Sequence, residues 1–241
     1  MSHLIVTEQK DWALIRIDRA AKRNALNQAA RLDLLAAFRT LRNRTRAIVL
    51  TGSDAWFCCG ADTRERAQFV AEGKADTAGS EGIELAAAIR EFPGVVIAAV
   101  NGLALGYGVN LVNCSDLALA SDRAQLGLPE LRHGSFASMS AATSLLSGLN
   151  RKRAGWMIFN TDPIDANTAL AWGLINEIVP ADRLDDRAAE LASKIAAFHP
   201  DAIAETKAAL ARIPELGPQW GAAMEFGQTV GARIKAKTST G

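Results

Sequence analysis

The stretch that decides the fold runs from Val95 to Ala120 and reads VVIAAVNGLALGYGVNLVNCSDLALA. Its first six residues are apolar and rich in β-branched side chains, a pattern typical of a fully buried strand. The chain then passes through Asn101 and Gly102 into a glycine-spaced turn, and a short helical pattern follows. A helix start presents backbone N–H groups without partners at the positive end of the helix dipole. The stretch therefore predicts an anion or oxyanion site in front of this helix.

Strand and helix patterns alternate on both sides of this stretch. Residues 4–6 and 13–17 predict a β-hairpin, and a helix capped by Asn24 or Asn27 is expected to run to about Arg42. Short apolar runs predict further strands at residues 47–52, 117–120 and 175–179. This order indicates an α/β fold with a parallel sheet.

Two regions differ from this alternation. Residues 64–80 are polar and interrupted by glycine, which predicts a mobile loop or a loose helix over a site. Beyond Pro180 only helical patterns occur, at residues 183–198, 200–213 and 220–235. We therefore divide the chain into a core with the site, residues 1–185, and a helical C-terminal region, residues 186–241.

Composition excludes several classes of protein. The chain has 241 residues, of which 49% are hydrophobic and 22% charged, as in ordinary soluble domains. A net charge of +1 provides no overall field for nucleic acid or a membrane, and no apolar run approaches the roughly 20 residues of a membrane span. The N-terminus lacks the layout of a signal peptide, so we expect a cytoplasmic protein.

Several chemical motifs are absent or incomplete. Leu111 stands where a dinucleotide-binding motif beginning at Gly106 needs its third glycine, and no GxSxG motif occurs. The three histidines are scattered, and the three cysteines (58, 59 and 114) form neither a disulfide framework nor a CxxC metal site. Four arginines between residues 39 and 46 form either a phosphate or RNA patch or a solvated helix end, and we favour the helix end.

Five segments together resemble the successive signatures of the crotonase family, the enoyl-CoA hydratases and isomerases. They are DRAAKRNALN, WFCCGADTRE, VVIAAVNGLALGYGVNL with CSDLALAS, LGLPELRHG and ALAWGLINEIVP, in the family's order over almost the whole chain. The resemblance implies a crotonase (ClpP/crotonase-like) fold of repeated ββα units and a helical C-terminal region used in trimerisation. It also implies an acyl-CoA thioester substrate, as in fatty acid metabolism, and a homotrimer or a dimer of trimers. Coenzyme A would be part of the substrate, and no metal or redox cofactor is implied.

The family pattern assigns two backbone N–H groups to an oxyanion hole for the thioester oxygen, here those of Ala61 and Tyr107. Such donors stabilise the negative charge that develops as an enolate forms. The family has glycine where this chain has Tyr107. A tyrosine keeps its N–H, but its phenol must either line or narrow the acyl pocket, or pack in the core.

Hydratases of this family carry two glutamates, and this chain retains one of them. The first position is Asn110, whose amide can orient a group but cannot act as an acid or a base. The second is Glu130, preceded by Pro129 as the motif requires. A single carboxylate favours double-bond isomerisation over efficient hydration. His133 is either an alternative proton carrier or, as we favour, a partly buried structural histidine.

The CoA moiety is expected at the first motif. Lys22 and Arg23 match the family loop that contacts the adenine and the phosphates, and the backbone of Ala25, Ala61 and Asp62 would hold the adenine and pantetheine. Three other interpretations stay open at this point: another crotonase-type lyase, a thioester hydrolase, and a non-catalytic CoA or RNA binder. Nucleic acid is an unlikely partner on charge alone.

Overall fold

A computed structural model describes residues 3–217 and 219–238. In these ranges the chain folds into two β-sheets surrounded by α-helices. The strands are β1 (Leu4–Glu8), β2 (Trp12–Ile17), β3 (Ala47–Gly52), β4 (Trp56–Cys58), β5 (Val95–Val100), β6 (Leu103–Leu105), β7 (Leu117–Ser121), β8 (Gln125–Gly127), β9 (Ile164–Asp165) and β10 (Glu177–Val179). The helices are α1 (Gln28–Leu41), α2 (Thr63–Ala71), α3 (Ala78–Arg90), α4 (Tyr107–Cys114), α5 (Ser138–Leu146), α6 (Arg151–Asn160), α7 (Ala166–Trp172), α8 (Leu184–Ala196), α9 (Pro200–Arg212) and α10 (Trp220–Thr238).

The larger sheet has six strands in the order β1-β2-β3-β5-β7-β10. β1 and β2 form the predicted antiparallel hairpin, and the other neighbours pair in parallel. All six residues of β3 are buried. A central parallel strand is covered on both faces, which is why its sequence is a continuous apolar run without polar alternation. The predicted α/β fold with a parallel sheet is confirmed.

Successive residues of the central strands pack into two different cores, because side chains alternate across a sheet. Ile48 and Leu50 belong to the larger core, which lies under α1, α3 and α4. Ala47 and Val49 belong to the smaller core, which is completed by Leu184 and other apolar residues of α8. Helix α8 therefore closes the second face of the sheet.

The smaller sheet was not predicted from the sequence. It has four strands in the order β4-β6-β8-β9, each two or three residues long. β4, β6 and β8 pair in parallel, and β9 is antiparallel to β8. Because the carboxyl ends of parallel strands meet at one edge of a sheet, the segments that follow these three strands come together there.

The region predicted as a mobile loop or loose helix is mainly helical. α2 covers residues 63–71, and the Asp62 side chain accepts a hydrogen bond from the Glu65 N–H at its start. α3 begins at Ala78, inside the same region. The first five residues of α3 include Gly79, Ser80 and Gly82, which hid the start of the helix from a pattern-based assignment.

A partly buried lysine links helix α9 to the core. Lys207 of α9 donates hydrogen bonds from Nζ to Asp116 Oδ2 (2.7 Å) and to two carbonyl oxygens, those of Ile89 (3.2 Å) and Gly94 (3.1 Å). α10 lies on α9, where Glu205 pairs with Arg233 and Lys237. The division of the chain at residue 185 stays a prediction.

Two further observations concern membrane spans and the arginine cluster at residues 39–46. No helix in residues 3–217 and 219–238 is long and apolar enough to span a membrane. In the arginine cluster, Arg39 pairs with Glu84, Arg44 with Glu8 and Arg46 with Asp11. Since three of the four arginines are paired within the chain, the geometry favours the interpretation of the cluster as a solvated helix end.

Candidate active site

The short strands of the smaller sheet bring the predicted site residues together. Ala61 follows β4, Tyr107 follows β6 and Glu130 follows β8, each within three residues of the end of its strand. The Gly106 N–H donates to the Gly127 carbonyl (2.9 Å), which extends the pairing of β6 with β8 towards Glu130. Ligands of α/β folds bind at the carboxyl ends of parallel strands, so this edge is the candidate site.

Helix α4 packs unusually close to β4, because glycine occupies position 108. A β-carbon there would stand 2.0 Å from the Cys58 carbonyl oxygen, so no other residue fits. On the same side, a β-carbon on Gly60 would lie 3.6 Å from the Tyr107 nitrogen. The peptide that links Gly60 to Ala61 therefore lies next to the start of α4.

The two candidate oxyanion-hole donors are both directed away from internal acceptors. Leu26 forms a parallel bridge with Ala61, donating to the Gly60 carbonyl (2.8 Å) and accepting from the Asp62 N–H (3.0 Å). In this pattern the N–H of Ala61 points away from Leu26. Tyr107 is the first residue of α4, where an N–H has no acceptor within the helix. Neither N–H is therefore used by the neighbouring segment of its own element, and their role as an oxyanion hole stays a prediction.

The Glu130 carboxylate lies against Gly106, the residue that precedes Tyr107. Its Oε1 would be 2.8 Å from a β-carbon on Gly106, and its Oε2 is buried without a hydrogen-bond partner. Burial raises the pKa of this carboxyl above its usual value, although its own backbone and the charge of His133 partly oppose the rise. A carboxyl with a raised pKa is suited to proton transfer near neutral pH.

Other carboxylates near the site are already engaged. Asp62 caps α2 and pairs with Arg19 at 3.3 Å. Glu65 accepts from the Gln28 N–H (2.7 Å), and Glu81 accepts from Arg31, Gln28 and Thr77. Hydrogen bonds and the Arg31 charge hold the pKa of Glu81 below its usual value, against the opposing effect of burial. Glu130 differs from these carboxylates because its Oε2 is buried and has no hydrogen-bond partner.

The Tyr107 side chain is buried between α3 and α5. Its hydroxyl donates to the Gly82 carbonyl at 2.6 Å, and 8% of the residue is exposed. A β-carbon on Gly82 would lie 3.0 Å from the Tyr107 ring and 3.1 Å from Met139, so the ring and this methionine fill the space against α3. Burial raises the pKa of the phenol, which keeps it neutral. Narrowing of an acyl pocket by this ring stays a prediction.

Asn110 lies one helical turn beyond Tyr107 and is 1% exposed. Its Oδ1 accepts a hydrogen bond from Thr143 Oγ1 of α5 at 3.0 Å. Its Nδ2 is buried without a partner. The Asn110 side chain is therefore hydrogen-bonded through Oδ1 but not through Nδ2.

The predicted CoA loop lies next to β4. Lys22 and Arg23 are exposed, the Arg23 guanidinium lies 5.5 Å from the centre of the Trp56 ring, and the Arg23 carbonyl accepts from Cys59. The Ala25 carbonyl accepts a hydrogen bond from Arg19. The backbone N–H of Asp62 is donated to Leu26, so this group is already used within the protein.

Arg19, which shapes this loop, was missed in the sequence analysis, and Asn24, named there as a candidate helix cap, has a different role. Arg19 bridges Ala25 and Asp62 and thereby joins the first two motifs. Asn24 does not cap α1; Asn27 does, with its side chain accepting from the Ala30 N–H. Asn24 is buried with φ +52°, and its amide donates to the Trp56 carbonyl at 2.6 Å. Asparagine tolerates this backbone region better than most residues, which was the available signal.

The remaining candidate groups are two cysteines and His133. Burial raises the pKa of Cys59 and Cys114 to about 11, so both stay thiols at neutral pH. His133 ends a 3₁₀ turn (Glu130–His133) and is exposed, so its expected partial burial was wrong. Within the described ranges, no three His, Cys, Asp or Glu residues are grouped closely enough to hold a metal ion.

Comparison with known proteins gives concordant results. The family model described as Enoyl-CoA hydratase/isomerase matches residues 7–230. The 2,3-dehydroadipyl-CoA hydratase of Escherichia coli K12 is 34% identical over 227 residues, which cover 93% of this chain and 88% of the relative. The mevalonyl-coenzyme A hydratase of Aspergillus fumigatus is 30% identical over 195 residues, covering 80% and 72%.

A solved structure agrees with these relatives. The crystal structure of an enoyl-CoA hydratase from Mycobacterium smegmatis superimposes with a TM-score of 0.86 at 29% sequence identity. The match covers 97% of this chain and 91% of that one. The fold is thus shared over almost the whole length.

Proposed function

Because this chain belongs to the enoyl-CoA hydratase/isomerase family, whose substrates are CoA thioesters, we propose that it transfers a proton with Glu130 as its only carboxylate acid and base. The favoured reaction is movement of a double bond between the 3- and 2-positions of an enoyl-CoA. The observation that carries this proposal is the buried, unpartnered Oε2 of Glu130 beside the start of α4.

The proposed reaction has two proton transfers through one enolate. The thioester oxygen accepts hydrogen bonds from the N–H groups of Ala61 and Tyr107. Glu130 removes the α-proton of a 3-enoyl thioester, and the electron pair moves towards the carbonyl oxygen. The protonated Glu130 then returns the proton to the γ-carbon, which leaves the double bond between the α- and β-carbons. One such N–H donor contributes about 2.7–4 kcal/mol to stabilisation of the enolate.

Hydration of a 2-enoyl-CoA is the second candidate, favoured by the names of the relatives. Those names also differ in the acyl group, so neither substrate is transferred to this chain. Hydration needs one group to activate water and another to deliver a proton, and Asn110 cannot exchange a proton. Loss of one acid or base lowers a rate by about 10²–10⁴-fold. We therefore propose that hydration is the slower reaction.

We extend the proposal to substrate binding and assembly. The charges of Lys22 and Arg23 suit the phosphates of CoA, and no other cofactor is required. We propose a homotrimer or a dimer of trimers, supported by the large apolar side chains that α10 leaves exposed: Trp220 is 81% and Met224 61% exposed. A cytoplasmic location and a role in fatty acid metabolism complete the proposal.

Exchange of the α-proton into deuterated water tests the assignment of the base. We expect wild-type protein to exchange and to interconvert 3-enoyl- and 2-enoyl-CoA, and Glu130→Gln to lose at least about 10² in rate. Glu84→Gln is the matched control, because this glutamate lies on the outer surface of α3. Unchanged exchange in Glu130→Gln would show that another group is the base.

A further inference from the structure

Two buried side-chain atoms in the described part of the chain have no hydrogen-bond partner: Glu130 Oε2 and Asn110 Nδ2. The proposed function accounts for Glu130 but gives no role to Asn110. A buried donor without an acceptor is unfavourable, and its retention next to a site indicates that a ligand supplies the acceptor.

A directed chain of hydrogen bonds orients the Asn110 amide. Asn113 Nδ2 donates to Thr143 Oγ1 (3.2 Å), and Thr143 Oγ1 donates to Asn110 Oδ1 (3.0 Å). The Nδ2 of Asn110 is therefore the donor in this chain that has no acceptor. Burial raises the pKa of the Tyr107 phenol, and the nearby Asn110 amide opposes this rise to a smaller extent. Nδ2 nevertheless makes no hydrogen bond to this hydroxyl, which donates its own proton to the Gly82 carbonyl.

The position of Asn110 on α4 places its amide on the side of the helix where the acyl chain is expected. Residues three and four apart share a helix face, so Asn110 lies on the same face of α4 as Gly106 and Tyr107. Its N–H donates to the Gly106 carbonyl at 3.2 Å, and Gly106 in turn faces Glu130. Three residues correspond to a rise of about 4.5 Å along a helix. If the thioester oxygen is held at the Tyr107 N–H, the amide is in range of the acyl carbons beyond the α-carbon.

We propose that Asn110 Nδ2 donates a hydrogen bond to an oxygen carried on the acyl chain, at its third or fourth carbon. The enzyme would then select thioesters with an oxygen-substituted acyl group over plain hydrocarbon chains. Asn110 is in this proposal a specificity-determining residue, since its amide binds the oxygen without transferring a proton. The inference rests on the proposed function for the orientation of the thioester.

Calorimetric titration of the full chain with four saturated thioesters tests this inference. The ligands are butanoyl-CoA, 3-hydroxybutanoyl-CoA (each enantiomer) and 4-hydroxybutanoyl-CoA. We expect a hydroxylated ligand to bind about tenfold more tightly than butanoyl-CoA, and this preference to fall to about one in Asn110→Leu. The tighter of the hydroxylated ligands identifies the carbon. Equal binding of all ligands by the wild type, or an unchanged preference in Asn110→Leu, would overturn the inference.

Thermal unfolding without ligand separates this role from a structural one. Asn113 is a matched buried asparagine on the same helix, and its Nδ2 is fully engaged with Thr143 (3.2 Å) and Ser144 (3.0 Å). We expect Asn113→Leu to lower Tm clearly and Asn110→Leu to leave it unchanged or higher, because Thr143 can donate instead to the Ser140 carbonyl at 3.3 Å. An equal loss of Tm in both variants would mark Asn110 as structural.

The proposed reaction at Glu130 and the proposed role of Asn110 can be contradicted independently. Exchange of the α-proton of butanoyl-CoA depends on Glu130, whereas the binding preference depends on Asn110. Absent exchange with a retained preference contradicts only the proposed reaction. Normal exchange without a preference contradicts only the role of Asn110.

Discussion

The carboxylate of Glu130 lies directly against the backbone of Gly106, with Oε1 2.8 Å from the point where a β-carbon on residue 106 would stand. Gly106 also has φ +52° and ψ −113°, a conformation that residues with a side chain rarely adopt. The next N–H along the chain is that of Tyr107. Glycine at this position therefore places a carboxylate beside a candidate oxyanion donor.

Substitution of this glycine should strongly lower kcat/KM. In Gly106→Ala the new methyl group would displace the Glu130 carboxylate and turn the peptide that carries the Tyr107 N–H. A misplacement of about 1 Å is enough to lower a rate about 10²-fold, so we expect kcat/KM for enoyl-CoA to fall by at least that factor. Steady-state kinetics and α-proton exchange measure the loss.

Gly173→Ala is the control for backbone strain. Gly173 ends α7 with φ +82°, and a β-carbon there would meet nothing within 4 Å. This variant should lose about 1–2 kcal/mol of stability with kcat/KM unchanged. Near-normal activity of Gly106→Ala would contradict the functional importance of the Gly106–Glu130 contact.

The raised pKa of Glu130 predicts the pH dependence of the rate. As a base, Glu130 must be ionised, so kcat/KM should rise with pH through a midpoint above the ordinary value of about 4.3 for glutamate. A profile of kcat/KM from pH 4 to 9 locates this midpoint. A rate that is already maximal at pH 4 would contradict the assignment.

The same group should make folding stability depend on pH. Its pKa is higher in the folded than in the unfolded chain, so the contribution that Glu130 makes to stability is present at low pH and lost as pH rises through the folded value. Glu130→Gln cannot ionise. We therefore expect this variant to unfold at a higher temperature than wild type at pH 8, with the difference shrinking towards pH 4.

The Tyr107 side chain should set the length of the acyl group. Tyr107→Ala empties the space between α3 and α5, and we expect the ratio of kcat/KM for octenoyl- over butenoyl-CoA to rise about tenfold or more. Tyr107→Phe removes only the hydrogen bond to Gly82, so it should lower stability by about 1 kcal/mol and leave that ratio unchanged. An unchanged ratio in both variants would place the ring outside the acyl pocket.

Restoring a carboxylate at position 110 should favour water addition. In Asn110→Glu a second acid and base would stand one turn from Tyr107, and we expect hydration of 2-butenoyl-CoA to increase by about 10²-fold. Asn110→Gln adds the same length without a titratable proton and should give no gain. Absence of a gain in Asn110→Glu would indicate that another feature, such as the Tyr107 ring, blocks the water.

Arg19 should affect binding more than chemistry. Its guanidinium joins Ala25 to Asp62, so Arg19→Gln would loosen the predicted CoA loop while leaving Glu130 in place. We expect KM for the CoA thioester to rise about tenfold with kcat within about twofold. Arg66→Gln, which breaks only the more exposed pair with Asp76, is the control and should change neither.

Much of the larger sheet and most helices could be predicted from the sequence, because their signals are local. β3 and β5 are continuous apolar runs, α1 has apolar residues at helical spacing, and Gly173 stops α7. The chemical types available at the site, one carboxylate and one amide, were also evident from the ordered motifs. These features depend on side chains within one stretch of chain.

The convergence of Ala61, Tyr107 and Glu130 was decided by tertiary structure. It depends on β4, β6 and β8. Each has three residues, too few to show a period, and each pairs with a strand distant in sequence. Gly108 sets how closely α4 approaches β4. Only the fold shows that Asn110 Oδ1 accepts a hydrogen bond while its Nδ2 has no partner. A sequence states which groups are present; long-range pairing and packing determine which of them face a common space and which are already satisfied.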